Sequence, residues 1–186
     1  MPLPYVQRPL YRYIIMTLVL TDSRIMMVPA TLATLQTELA GDPALFGMLG
    51  VPSPPYWPPE LNDADSFNHF IGMIEANPEA LEWGAHYVLL VRPPRTLVAS
   101  GGFIAPPDEH GCVEIGYSVL KPYRRQGIAS ALCKLLIKKA FADARVKAVK
   151  ACTLPELTPS IGVLEKAGFA FTGEKEGTLT YMLNRA

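Results

Sequence analysis

The stretch from Val113 to Ala140, VEIGYSVLKPYRRQGIASALCKLLIKKA, restricts the fold more than any other part of the chain. Val113–Val119 is apolar, β-branched or aromatic around one glycine and reads as a strand. Lys121 and Pro122 close it, because proline cannot donate to a ladder. Arg124-Arg125-Gln126-Gly127-Ile128-Ala129 follows as a short cationic loop with a glycine inside it. From Ile128 the apolar positions Ala131, Leu132, Leu135, Leu136 and Ala140 recur at helical spacing. A strand, a glycine loop and a helix in that order turn free backbone N–H groups toward an anion at the helix N-terminus. Gly127 allows phosphates to approach the main chain where a Cβ would block them, and Arg124 and Arg125 add fork-shaped donors. The loop reads as a pyrophosphate cradle; the same residues also suit an ordinary strand-to-helix turn with surface arginines. Neither GxxxxGK[ST] nor GxGxxG is present, so the nucleotide and dinucleotide loops lack support.

A chain of 186 residues fits one domain with a substantial core. Its 17 basic and 17 acidic side chains balance, so charge suggests neither a nucleic-acid partner nor an anionic membrane surface. Cys112, Cys133 and Cys152 lie far apart among apolar neighbours, which suits buried, reduced thiols in a cytoplasmic protein. No histidine is placed by motif to activate a catalytic cysteine, and His69 and His86 lack ligand-like partners, so no metal site is expected. Residues 1–13 have no clear pattern and read as a flexible extension, with a single domain over 14–186. The apolar run Ile14–Leu20 follows two arginines, as in a signal peptide. It is short, Thr17 interrupts it and no small-residue cleavage site follows, so it reads as strand with Arg24–Val28. No other apolar run is long enough to span a bilayer.

Thr31 is placed to cap a short helix carrying Leu32, Leu35 and Leu39 and stopping at Gly41. Pro43–Asp65 reads as a proline-dense loop with Tyr56 and Trp57 at its centre and Glu60, Asp63 and Asp65 behind. That loop is either a rigid connector whose Trp57 packs on the core, or one wall of an acceptor pocket whose acids attract a cationic amine. A second helix, Ser66–Ala76, presents Phe67, Phe70, Ile71 and Ile74 and stops at Asn77-Pro78. HYVLLVR and TLVASGGFIA then form a meander with VEIGYSV, and Gly101-Gly102 marks a bulge or a close contact. Arg145–Thr153 is a further strand; the intervening helix makes it parallel to Val113–Val119. Thr158 is placed to cap a helix with Pro159 at its first position and Gly168 at its end, and Phe169–Gly173 and Thr178–Leu183 close as a hairpin.

The element order is β-α-α-β-β-β-α-β-α-β-β. With it come three motifs: Glu114-Ile115-Gly116-Tyr117; Arg124, Gly127 and Ala129 in a [QR]-x-x-G-x-[GA] pattern; and Ser160 to Phe169 in the pattern S-x-x-x-L-E-K-x-G-F. On these the chain resembles the GNAT superfamily of N-acetyltransferases, in its RimJ/RimL-like, ribosomal-protein-modifying branch. The resemblance implies an α/β (α+β) GNAT fold: a mixed, mostly antiparallel sheet with a splayed central parallel pair and flanking helices. It implies acetyl-CoA as donor and, as acceptor, a primary amine of a small molecule or a protein N-terminus. Pantetheine would lie in the splay, a backbone N–H near Val119 would face the thioester, and the amides of Arg125, Gln126, Gly127, Ile128, Ala129 and Ser130 would hold the pyrophosphate, with Arg124 beside them. Glu114 shares strand parity with Gly116 and Ser118 and is the expected base; Ser160 or water would protonate the thiolate. Tyr56 and Trp57 would line the acceptor pocket, and the family allows a homodimer. Two departures stand out: Leu157 occupies a position where relatives carry Asn, and Leu164 one where they carry Tyr. They keep open a second class, a non-catalytic acyl-CoA-binding sensor or scaffold.

Overall fold

The computed structural model describes residues 20–60 and 62–185; residues 1–13 and most of the Ile14–Leu20 run lie outside them. One sheet of eight strands runs β1-β2-β3-β4-β5-β6-β8-β7. In chain order these are β1 Leu20–Thr21, β2 Ile25–Pro29, β3 Ala85–Leu90, β4 Leu97–Phe103, β5 Cys112–Val119, β6 Ala148–Thr153, β7 Ala170–Lys175 and β8 Thr178–Asn184. Helices α1 Leu32–Leu39, α2 Ala44–Leu49 and α3 Ala64–Ala76 precede β3; α4 Ile128–Ala142 joins β5 to β6, and α5 Thr158–Lys166 joins β6 to β7.

Alternation along the strands builds two cores. Ile25, Met27, Val113, Ile115 and Val149 point to the face covered by the Ile128/Leu132/Leu136 stripe of α4 and by Leu164 of α5. Tyr87, Leu89 and Leu97 point to the other face, under Leu35, Leu45, Phe67 and Ile74 of α1–α3. The close contact expected at the glycine pair is present. A Cβ on Gly102 would lie 2.2 Å from the Gly84 carbonyl oxygen, whereas the register irregularity falls between Val88 and Leu89 instead.

Thr31 caps α1 through Thr34 N–H at 3.3 Å. Several other local expectations are corrected. Pro43–Asp65 is not all loop: Ala44–Leu49 forms a helical turn and a half, ended by Gly50 in the left-handed region (φ 66°). Helix α3 begins two residues early because Asp63 caps it, accepting from Ser66 N–H at 2.9 Å. Thr158 is already helical, and the position before it is Leu157, which has no side-chain oxygen to cap with. Of the three cysteines only Cys133 is buried; Cys112 is half-buried and Cys152 exposed, since alternation puts Cys152 on the opposite face of β6 from Ala151.

Candidate functional site

The parallel pair β5–β6 is joined only from Cys112/Ala148 to Ile115/Ala151. Beyond it β5 stays bonded to β4 as far as Val119, while β6 stays bonded to β8 through Thr153. The sheet therefore opens between Gly116–Val119 and the end of β6. Ile104 N–H donates to the Glu114 carbonyl and Leu120 N–H to the Val98 carbonyl, each at 2.9 Å, so even-numbered residues of β5 face β4. By alternation the amides of Tyr117 and Val119 face the opening, where no strand meets them. On the far side Thr153 is buried, and its hydroxyl finds no partner among the described residues. An orphaned buried hydroxyl is costly unless something completes it. The opening fits a ligand with alternating polar groups, bound as an added strand would be.

At the end of the opening stands the cationic loop. Arg125 (φ 60°) and Gly127 (φ 78°) are both left-handed, which gathers successive N–H groups into a concavity. For Arg125 that conformation costs roughly 1–2 kcal/mol, strain that marks functional loops. Gly127 N-caps α4, and Ala131 is the residue whose N–H closes onto the Gly127 carbonyl (3.0 Å), so the amides of Ile128, Ala129 and Ser130 start the helix without intrahelical acceptors.

The two expected arginines are not equivalent. Arg124 donates from Nε to the Val119 carbonyl (2.9 Å) and from Nη2 to Glu60 (2.8 Å), so it braces the loop rather than facing outward. Glu60 also pairs with Lys121 at 2.7 Å. The Arg124 bond first, then Lys121, lowers its pKa to about 2. Gln126 turns its side chain back to the Pro122 carbonyl at 3.0 Å. The loop thus offers an anion its main chain and Arg125.

Glu60 belongs to a strap across the ends of β4 and β5. Its carbonyl accepts from the Ser118 hydroxyl (2.7 Å), and the Asn62 amide exchanges two hydrogen bonds with Ser100 (2.9 and 3.1 Å). Of the three acids expected to attract an amine, Glu60 is therefore engaged by cations and Asp63 by a helix cap. Tyr56 is exposed, 69% accessible. Trp57 instead donates its indole N–H to Glu38 at 2.7 Å, and the other Glu38 oxygen accepts from Tyr87 at 2.6 Å. Burial raises the Glu38 pKa against the pull of both bonds. Trp57 is fastened into the second core, the rigid-connector reading of that loop.

Glu114 lies in the closed part of the pair, with Lys150 Nζ at 2.6 Å. Ser160, in the first turn of α5, has its Oγ 3.3 Å from the Tyr117 hydroxyl. Burial pushes the Tyr117 phenol up to about 12. Leu164 is core, so α5 supplies no phenol from that position, whereas β5 supplies one from Tyr117. Sequence reasoning passed over Tyr117 as a motif letter; its strand parity with Val119 was the available signal. A separate cleft of about 620 Å³, lined by Leu20, Trp83, Leu135 and Lys139, lies by the other half of α4.

A sheet opened between two parallel strands, with an amide-lined loop at its end, is a site for an extended ligand that terminates in an anionic group. The model of the acetyltransferase (GNAT) domain matches residues 24–170, and the chain belongs to that family. It is 30% identical over 120 residues to the uncharacterized N-acetyltransferase p20 of Bacillus licheniformis, a match spanning 64% of each chain. Among solved structures it superposes on RimL, the ribosomal L7/L12 α-N-protein acetyltransferase in complex with coenzyme A. The TM-score is 0.61 at 14% identity, over 89% of this chain and 97% of that one. The microcin C7 self-immunity acetyltransferase MccE, in complex with acetyl-CoA and AMP, gives 0.59 at 13% identity over 88% and 94%. At such identities these neighbours establish the fold. No helix among the described residues is long and apolar enough to cross a membrane, and no cluster of three metal-ligating side chains is found among them.

Proposed function

We propose that the chain is an N-acetyltransferase that moves an acetyl group from acetyl-CoA directly to a primary amine. The observation that carries this reading is the opening of β5 from β6 past Ile115, with the Tyr117 and Val119 amides facing it and the amide-lined loop at its end. The amides of Arg125–Ser130 hold the pyrophosphate. Tyr117 and Val119 present the main chain to pantetheine, and Val119 N–H stabilises the oxyanion that forms as the amine attacks. The orphaned Thr153 hydroxyl, buried at the end of β6, gains a partner when the opening is filled. Ser160, held by Tyr117, hydrogen-bonds the departing thiolate and relays to it a proton that solvent water replaces, so the serine ends as a neutral hydroxyl.

The amine must arrive neutral. Five residues of strand, roughly 16 Å at ~3.3 Å per residue, separate Glu114 from Val119, so the amine proton reaches the Lys150-paired Glu114 only along a chain of several waters. The acceptor enters from the α1–α3 side, the face that holds Ser118 and the strap. Glu60 and Asn62 are tied to Ser118 and Ser100 on that side, an arrangement that we read as favouring a small amine over a protein N-terminus. One fold carries both RimL, named for a ribosomal protein, and MccE, named for microcin C7 self-immunity, so the choice of acceptor rests on the site rather than on the fold.

The test is thiol release from acetyl-CoA against small amines and short peptides with free N-termini. Wild type is run beside Ser160→Ala and Glu114→Gln. One amine class releases thiol, and each variant lowers kcat by about ten-fold or more, as loss of a proton-transfer group does. If acetyl-CoA raises the melting temperature yet no amine releases thiol, the chain is a binding module and the transfer reading fails.

A further inference from the structure

Arg24 lies 103 positions before Gly127, in the turn that enters β2, and the fold delivers its guanidinium to the loop. A Cβ on Gly127 would lie 2.6 Å from Arg24 Nη1. We infer that Arg24 is a phosphate-binding residue of the acetyl-CoA site, supplying the terminal guanidinium donors that Arg124 spends inside the protein. The inference rests on acetyl-CoA being the bound donor and names which side chain meets its phosphoanhydride or ribose phosphate.

The backbone of Arg24 is fixed from two sides. Its N–H donates to Asp22 Oδ1 at 2.7 Å, as does Ile25 N–H at 2.8 Å, and its carbonyl accepts from Val91 N–H at 2.9 Å. Asp22 approaches the side chain only at Nε, at 3.9 Å, a distance that leaves both terminal nitrogens to other partners. Among the described residues none accepts from Nη1 or Nη2, and the side chain is 52% accessible. The contrast with Arg124 is direct, since that guanidinium is bonded to Val119 and Glu60, and Glu60 also offsets Lys121. Glu60 sets one carboxylate against those two cations, and Asp22 stays 3.9 Å from Arg24 Nε, so among the described residues no carboxylate accepts a hydrogen bond from the terminal nitrogens of Arg24 or from Arg125. A guanidinium next to free main-chain amides is the donor set that a phosphate, with several acceptor oxygens, satisfies best. The arrangement also gives Gly127 a second reason to lack a side chain: any Cβ would push aside the phosphate donor as well as strain the turn.

The test measures dissociation constants by calorimetry at low and moderate salt for wild type, Arg24→Gln and Arg24→Lys. Ligands are acetyl-CoA, its 3′-dephospho analogue and S-acetylpantetheine. Arg24→Gln weakens acetyl-CoA binding about ten- to a hundred-fold, the range for a charged hydrogen-bonding partner, and reduces the salt dependence. Arg24→Lys, which keeps the charge but not the fork, falls between. A loss that disappears with the dephospho analogue places Arg24 on the ribose phosphate; a loss that persists there but not with S-acetylpantetheine places it on the pyrophosphate. Unchanged acetyl-CoA affinity in Arg24→Gln, or an equal loss with S-acetylpantetheine, overturns the inference. Failure of wild type to bind acetyl-CoA would instead sink the proposed function, so the two failures are distinguishable.

Discussion

Replacing His86 with leucine should flatten the acid limb of the protein's stability. His86 sits in β3 with 1% of its surface accessible; Nδ1 lies 3.0 Å from the Gly84 carbonyl, and Nε2 has no partner among the described residues. Burial, and then the nearby Lys139 ammonium, lower its pKa from 6.5 to about 4. The unfolded chain therefore takes up a proton near pH 6.5 while the folded chain refuses it until about pH 4. Stability is fully present above pH 6.5 and drains as pH falls through that window, by about 1.4 kcal/mol per pH unit and about 3 kcal/mol in all. Carboxylates held low, such as Glu60 and Asp63, add their own acid losses only below their ordinary values of 4.5 and 3.8. Glu38, raised by burial, takes up its proton in the folded chain first and acts with the opposite sign in both proteins, so over pH 6.5 to 5 the difference between wild type and His86→Leu isolates His86. Urea unfolding at half-unit steps reads the effect. Wild type loses about 2 kcal/mol relative to His86→Leu between pH 6.5 and 5, after an initial cost to the variant of about 1 kcal/mol for the missing hydrogen bond. Parallel curves for the two proteins over that interval would refute the reasoning.

Glycine positions separate in the same assay. Gly102→Ala forces a Cβ to within 2.2 Å of a backbone oxygen and should cost about 3 kcal/mol or more, whereas Gly72→Ala, in α3 with no neighbour within 4 Å, should stabilise by up to about 1 kcal/mol. Cys152 should be the fast thiol toward Ellman's reagent in native protein and Cys133, buried with its pKa pushed up to about 12, the slow one; Cys152→Ser should remove the fast phase and with it the background of any thiol-release assay. Fast labelling that survives Cys152→Ser would contradict the exposure assigned to β6.

Much of the architecture was readable because its causes are local. The strand–glycine–helix unit, the meander and the parallel return of β6 each follow from periodicity and turn chemistry within a short span, whereas the opening between β5 and β6 was implied by the family resemblance. Helix α2 was not readable, because its six residues lie among prolines and glycines that signal a loop. It forms by packing Leu45 into the second core. Of the candidate site, the main-chain roles proposed for Val119 and Arg125–Ser130 rest on motif and parity, whereas side-chain placement depends on partners distant in sequence. Arg124 meets Glu60 across 64 positions, Tyr117 meets Ser160 across 43, and Trp57 meets Glu38 across a helix and a loop. No spacing rule predicts such pairs, nor that Arg24, from the turn before β2, comes to lie beside Gly127 next to the loop's own Arg125.

The most direct test of the account is an amide chemical-shift map of acetyl-CoA binding on the ¹⁵N-labelled chain. The predicted result is saturable binding with the largest shifts at the amides of Tyr117, Val119 and Arg125–Ser130, and little change around Trp83 and Leu135. Shifts concentrated at the Trp83–Leu135 cleft, or none anywhere, would contradict the claim that the opening of β5 from β6 is the acetyl-CoA site.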